Sequence, residues 1–176
     1  MNRRQVLTLG AVGGVATLGV GFWALPTGER VGALSLDGAQ DLLRTLEGKS
    51  LVSVNGWSPA EVFNHCAQSI EYSISGYPEL KPTWFRSSIG PLAFSVFAAR
   101  GAMRHPLNEA IPGAASLSEP ASQAQALNRL QQAFSNFSAY QGELQPHFVY
   151  GALSHADYAE AHVMHLYNHM SLIRLA

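Results

Sequence analysis

The sequence is poor in charged residues and in cysteine. Only 13% of its 176 residues are charged, whereas about 25% is usual for a soluble domain. The formal net charge is −1, and no basic patch or stripe is evident, so we expect no nucleic-acid partner. Because Cys66 is the single cysteine, no disulfide can form within the chain, and we expect Cys66 to pack as a small apolar side chain.

Several catalytic signatures are also missing. The sequence contains no phosphate-binding loop and no CxxC pair, and no Ser/His/Asp arrangement stands out. No stretch alternates apolar and polar residues for long enough to predict a strand. The length suits one domain, and a hydrophobic content of 47% is enough to form a core. These absences favour a single all-α domain.

The first thirty residues predict an export segment. Arg3 and Arg4 precede an uncharged run over residues 5–28, which is the layout of a signal sequence. Residues 6–25 are long enough to cross a hydrocarbon layer of about 30 Å as a helix. The arginine pair before a modestly hydrophobic, glycine-containing stretch resembles a twin-arginine signal, and an ordinary signal anchor is the alternative. We therefore expect residues 1–30 to be a signal peptide or membrane anchor and residues 31–176 to be an exported domain, periplasmic or held at the membrane.

Hydrophobic periodicity and capping residues predict the helices of this domain. The clearest begins at Ser58, which forms a capping box with Glu61 and is followed by Pro59 at the first helical position, and it ends at Gly76. The others are expected at about 37–48 with Asp37 as cap, at 83–100 with Thr83 as cap and a bend at Gly90-Pro91, from Ser118 or Glu119 to about 140, and from Ser154, with Asp157, to about 173. One short helix followed by four longer ones predicts an antiparallel four-helix bundle.

Four of the seven histidines lie in the last predicted helix, at His155, His162, His165 and His169. A helix turns about 100° per residue, so all four share one face. His165 and His169 are four residues apart, the spacing with which H-E-x-x-H helices hold one ion. His162 and His165 are a second choice, whereas His162 and His169 lie about 10 Å apart along the axis and cannot share an ion.

A third ligand must come from another helix, and His65 is the best candidate. It lies mid-length on the helix that begins at Ser58. Three histidines leave coordination positions open, as catalytic metal sites do. Imidazole suits several divalent ions, of which we place Zn and Ni ahead of Fe. The alternative is that His65 is a hydrogen-bonded core residue and the last helix a solvated face. His105 is assigned no role, and His147 is expected to cap the last helix or to support the site.

Two segments resemble a known family. "WSPAEVFNHCAQSIEYS" resembles the opening motif of the DinB-like superfamily, in which a helix begins W-S-x-x-E and carries its first metal histidine a turn later, here His65. "HFVYGALSHADYAEAHVMHLYNHM" is similar to the closing motif of domain-of-unknown-function family 1569, which reads H-P-x-F-G and then H-x-x-H-H-x-x-Q. The first part falls on His147, Phe148, Tyr150 and Gly151, and the second falls on His162 and His165. The resemblance covers roughly residues 35–173.

The resemblance implies a DinB/YfiT-like four-helix bundle with a three-histidine metal site, one ligand from the second helix and two from the last. It implies no activity for this branch, although some members of the superfamily are thiol-dependent transferases or isomerases. Leu166 stands where the branch has a second adjacent histidine, and His169 stands where it has glutamine. If the family's pair starts at His162, its second ligand is missing here, and the pair His165–His169 restores the spacing further along the helix.

We therefore expect an exported four-helix bundle in which His65, His165 and His169 hold a divalent Zn, Ni or Fe ion. Such a site indicates a metal-dependent hydrolase or transferase acting on a small molecule that the sequence does not identify. The alternative is a non-catalytic binding or scaffold module at the membrane that has lost the metal site, which Leu166 favours. Whether the chain forms a homodimer is left open by the sequence.

Overall fold

A computed structural model of the chain describes residues 34–117 and 122–176. The predicted export segment, residues 1–30, and the predicted helix start at Ser118 or Glu119 lie outside the described residues. The described part is mostly helical, as predicted. Its helices are α1 Leu36–Thr45, α2 Pro59–Ser75, α3 Thr83–Arg86, α4 Ile89–Arg100, α5 Gln123–Ala139 and α6 His155–Met170, and its strands are β1 Leu51–Ser53 and β2 Ile173–Leu175.

Helix α2 begins as the sequence predicts. The Ser58 hydroxyl accepts a hydrogen bond from the Glu61 backbone N–H at 3.3 Å, and the Glu61 carboxylate accepts one from the Ser58 backbone N–H at 2.8 Å. Pro59 occupies the first helical position, where its missing N–H leaves no bond unmade. Gly76 ends the helix with a backbone φ of 101°, which residues other than glycine rarely adopt.

The main core lies between α1, α2, α5 and α6. Helices α2 and α5 share the most extensive of these packing surfaces. The largest side chains of this core are fully buried, among them Leu43, Phe63, Leu130, Phe134, Phe137 and Leu166. Cys66 is 2% exposed in the same core, where it packs as an apolar group as expected. This packing fixes α2 against α6, and the histidines of interest lie on those two helices.

Helix α6 starts as predicted but is shorter than predicted. Ser154 and Asp157 form a capping box at its start. The helix ends at Met170 rather than near Ile173, because Ile173 belongs to β2. Strands β2 and β1 pair antiparallel, with Ile173 opposite Ser53. Strands of three residues are too short to show alternation in the sequence, so this small sheet was not predicted.

The predicted bent helix over residues 83–100 is two helices, α3 and α4, separated at Ser87 and Ser88. Pro91 lies in the first turn of α4, where its missing N–H is tolerated. Thr83 is the first residue of α3 and not its cap, since no side chain caps that helix. Gly90 has its Cα against the Val149 carbonyl oxygen, which a Cβ at this position would strike. This close contact brings the loop before α6 against the start of α4.

The predicted start of α1 is wrong by two residues. Ser35 rather than Asp37 caps α1, by accepting a hydrogen bond from the Gly38 N–H at 3.1 Å. Helix α5 is capped by Ser122, which forms a capping box with Gln125. In both cases a nearby serine satisfies the free N–H groups of the first turn. The arrangement of the helices as a four-helix bundle stays a prediction.

No helix of residues 34–117 and 122–176 combines the length and the apolar character that crossing a membrane requires.

We expect Ser58→Ala to lower the free energy of unfolding by about 1 kcal/mol, because it removes the capping box from the helix that carries His65. Urea denaturation followed by circular dichroism measures this change. Ser75→Ala at the other end of α2 is the matched control, since the exposed Ser75 hydroxyl only bonds back to the Glu71 carbonyl. Its effect should stay within about 0.5 kcal/mol. Equal effects of the two substitutions would contradict the capping role.

Candidate metal centre

Three histidines from two helices converge on one point. The Nε2 atom of His165 lies 3.1 Å from Nε2 of His65 and 3.1 Å from Nε2 of His169. One ligand atom from each of the three lies within 4.8 Å of the others. His65 and His169 are 3% and 1% exposed, and His165 is partly buried. The structure therefore brings together the three residues that the sequence predicted to converge.

The spacing of these nitrogens suits a metal ion. Imidazole nitrogens bound to one tetrahedral ion at 2.0–2.1 Å are about 3.3 Å apart. Two of the three pairs here are at 3.1 Å, and the third lies within 4.8 Å. The three buried histidines thus lie close enough to hold a metal ion.

On the side of the ring that carries Nδ1, aromatic packing rather than hydrogen bonding restricts two of these rings. The Nδ1 atoms of His65 and His169 are buried and have no hydrogen-bond partner. The Trp57 ring lies 4.8 Å from the His65 ring and stacks parallel to the His169 ring at 6.0 Å. In many metal sites a backbone carbonyl or carboxylate accepts from the second ring nitrogen and orients the ligand. Here the indole of Trp57 restricts the rings, and it is the tryptophan of the W-S-x-x-E motif.

Burial keeps the three rings neutral. Burial, with added repulsion from the nearby His105, lowers the pKa of His65 to about 3 and that of His169 to about 2. Burial also holds the pKa of His165 well below its usual value, with added repulsion from the neighbouring histidines. Neutral imidazole is the form that binds metals. The ligand atoms are therefore available at neutral pH without first losing protons.

His105 is a fourth imidazole at this site, and the sequence assigned it no role. Its ring lies 4.8 Å from the His165 ring and 5.0 Å from the His169 ring. It follows α4 in a loop, where its Nδ1 is 2.8 Å from the Pro106 carbonyl oxygen and donates to it. Asn168 of α6 lies 3.3 Å from the His105 backbone N–H and holds this loop against the helix. A single residue in a loop carries no periodicity, so no sequence signal could have placed it here.

The structure places the other two histidines of α6 outside the cluster. The His162 Nε2 lies 3.2 Å from the Ser73 hydroxyl, and its ring packs against Tyr158 and Phe137. It does not join His165 as the second-choice pair required. His155 is exposed, and its Nε2 donates to the Phe137 carbonyl at 3.1 Å.

His147 does not cap α6, because Ser154 does. Its Nδ1 instead accepts hydrogen bonds from the backbone N–H groups of Val149 and Tyr150, both at 3.1 Å. These two hydrogen bonds stabilise the turn that His147 itself begins, which is the H-F-V-Y-G segment of the closing motif. Its ring also lines the cavity that adjoins the cluster.

A cavity of about 340 Å³ adjoins the cluster. This volume lies within the range of small-molecule sites. Its walls are mostly apolar and include Phe97, Met103, Ile111 and Phe148. Five histidines line it: His65, His105, His147, His162 and His165. Two histidines of the cluster, His65 and His165, therefore border a space that a small molecule could occupy, and His169 is not among the lining residues.

Comparison with known proteins gives one match. The family described as "Protein of unknown function (DUF1569)" matches residues 31–175. No curated protein and no solved structure matches the chain.

We expect the metal-free protein to lose stability as pH falls below about 6.5. The lowered folded-state pKa values of His65, His162 and His169 mean that the unfolded chain binds protons in this range while the folded chain does not. Protons therefore favour unfolding from about pH 6.5 down to about pH 3. Denaturation in urea with a chelator present should give an unfolding free energy at least about 2 kcal/mol lower at pH 5 than at pH 7.5.

His162→Gln is the matched variant for this measurement. Glutamine places a donor near the Ser73 hydroxyl and carries no titrating group. The dependence on pH should become shallower, by up to about 1.4 kcal/mol per pH unit. A stability that stays flat between pH 5 and pH 7.5 would show that the buried rings titrate normally.

Proposed function

The chain belongs to the DUF1569 family, whose description gives no activity, and we propose from its own site that it binds one divalent metal ion through His65, His165 and His169. The observation that carries this proposal is the convergence of three buried Nε2 atoms from α2 and α6. Zn and Ni are the preferred ions, ahead of Fe, since all three accept neutral imidazole.

The cavity beside the cluster supports an enzyme of the metal-dependent hydrolase or transferase class. A divalent ion in such a site supplies Lewis acidity, which lowers the pKa of a bound water or substrate group. The chain supplies the rest. His65 and His165 stand in the cavity wall, Trp57 packs against the rings of His65 and His169, and the mostly apolar walls would exclude water from a bound substrate.

We also propose that α1, α2, α5 and α6 form the DinB-like four-helix bundle that the sequence motifs imply. Two contacts support this reading. His65 near the start of α2 meets His165 and His169 near the end of α6, while Ser73 near the end of α2 meets His162 earlier in α6. These two helices therefore run antiparallel.

A non-catalytic binding module is the second candidate. Leu166 is fully buried in the main core at the position where the family pattern has a histidine. A chain that had lost the family's ligand at this position could retain the fold and the cavity without the metal.

Elemental analysis of the purified chain, after loading with Zn or Ni and removal of free ion, separates these candidates. We expect about one ion per chain in the wild type and none in His65→Ala, His165→Ala or His169→Ala. Removing one of three ligands leaves too few donors for tight binding.

His155→Ala and His162→Gln are the controls, because both residues lie outside the cluster. Both variants should retain the ion. A folded wild-type protein that holds no ion would favour the non-catalytic module, and cluster variants that keep the ion would show that it binds outside the cluster.

We propose further that residues 1–30 direct export by the twin-arginine route and either anchor the domain or are removed. The support is the Arg3-Arg4 pair and the uncharged run that follows. Replacing both arginines by lysine should move most of the protein from the exported fraction to the cytoplasmic fraction on cell fractionation. An unchanged distribution would argue for an ordinary signal anchor.

A further inference from the structure

His147 is held in one tautomer. Two backbone N–H groups donate to its Nδ1, so this atom carries no proton and the neutral ring has its proton on Nε2. Burial holds the pKa of His147 well below its usual value, which keeps the ring neutral. The ring stacks on Tyr150 at 4.4 Å and lies 5.1 Å from Tyr77. His147 therefore offers one rigid N–H donor.

His162 is held in the complementary state. The Ser73 hydroxyl donates its proton to the Ile70 carbonyl at 2.6 Å, so towards His162 it acts as an acceptor. The His162 Nε2 at 3.2 Å must then carry the proton, which leaves Nδ1 with a free lone pair. Tyr158 stacks on this ring and Phe137 meets it edge-on. His162 therefore offers one rigid acceptor.

Both rings line the cavity, although they are only 7% and 3% exposed. Among residues 34–117 and 122–176 neither the His147 Nε2 nor the His162 Nδ1 has a protein hydrogen-bond partner. Neither atom is among the fully enclosed unpaired atoms, unlike Nδ1 of His65 and His169. A donor and an acceptor thus remain unpaired in the wall of one cavity.

We infer that His147 and His162 form a subsite for a hydroxyl group, and that the cavity takes a small alcohol whose other end faces the three-histidine cluster. A hydroxyl accepts one hydrogen bond and donates another, so it satisfies both rings at once. Both rings are neutral, so neither offers a countercharge to an ionised group placed between them, and such a group would lose hydration there without compensation. The inference rests on the proposed function for the far end of the ligand, where the metal would bind.

The distance between the subsite and the cluster sets the length of the ligand. Along α6, His162 and His165 are three residues apart, or about 4.5 Å. Along α2, Ser73 and His65 are eight residues apart, or about 12 Å. Apolar side chains, Ala161 and Phe148 among them, line the same cavity. A short aliphatic chain of about six carbons fits this span.

The test uses two hydroxamates on Zn-loaded protein. Heptanohydroxamate is the probe with an apolar end, and its analogue carries a hydroxyl in place of the last methyl group. In both, the hydroxamate provides the metal-binding end. Isothermal titration calorimetry should show the hydroxyl analogue binding about fivefold more tightly, since it makes two hydrogen bonds that the methyl compound leaves unmade.

His147→Asn and His162→Gln remove the subsite while keeping its supports. Asparagine retains an acceptor for the Val149 and Tyr150 N–H groups, and glutamine retains a donor for Ser73. In each variant the fivefold preference should vanish while heptanohydroxamate binds as before. His155→Gln, outside the cavity, should keep the preference. Equal binding of both probes by the wild type, or a preference that survives both substitutions, would overturn the inference.

A second measurement works without metal and separates the two proposals. In long-range ¹H–¹⁵N spectra of the metal-free protein, hexanol should shift the His147 Nε2 and His162 Nδ1 signals. Methyl pentyl ether, which cannot donate, should leave the His162 Nδ1 signal unchanged. If these shifts occur in a protein that binds no metal, the hydroxyl subsite is supported and the metal site is rejected. Their absence in a protein that does bind metal would reject the subsite alone.

Discussion

The site depends on the packing of α2 against α6 in one core, because that packing forces three imidazoles to face each other. The arrangement is unfavourable by itself. Each enclosed polar atom without a partner costs about 1–3 kcal/mol, and Nδ1 of His65 and His169 are two such atoms. The large apolar side chains around Phe63 and Leu166 offset this cost. A fold that keeps buried, unpaired nitrogens close together is typical of a functional site, since an apolar replacement would be more stable.

Rigid supports surround the cluster. Helices α2, α5 and α6 each begin with a capping box, so their first turns are well defined. Trp57 lies just before the cap of α2 and covers two of the rings, which links the start of that helix directly to the site. The loop with His105 is fixed to α6 through Asn168. The ligand atoms are thus positioned before any ion arrives, and this reduces the ordering that binding would require.

The sequence predicts what is periodic or capped and misses what is not. The four-residue spacing of His165 and His169, together with the capping box that fixes the register of His65, was enough to identify all three residues of the cluster. His105 was missed because its position depends on the path of a loop. The β1–β2 pair was missed because three-residue strands are set by tertiary pairing. Pro91 predicted a bend within one helix. The helix is instead interrupted before Pro91, so the proline lies in the first turn of α4.

The register of α6 decides which of its histidines can meet His65. Positions 162 and 166 share a helix face, as do 165 and 169, and the two faces differ by about 60°. Leu166 packs fully buried in the main core, so the first face turns towards the other helices of that core. The second face turns towards His65, and a histidine at 169 is therefore better placed than one at 166 to complete a cluster with His165. His162 lies outside the cluster, and its Nε2 is 3.2 Å from the hydroxyl of Ser73, two turns along α2 from His65. The interface of α2 and α6 thus has two polar levels, the histidine cluster and the His162–Ser73 pair, and residues of both levels line the same cavity.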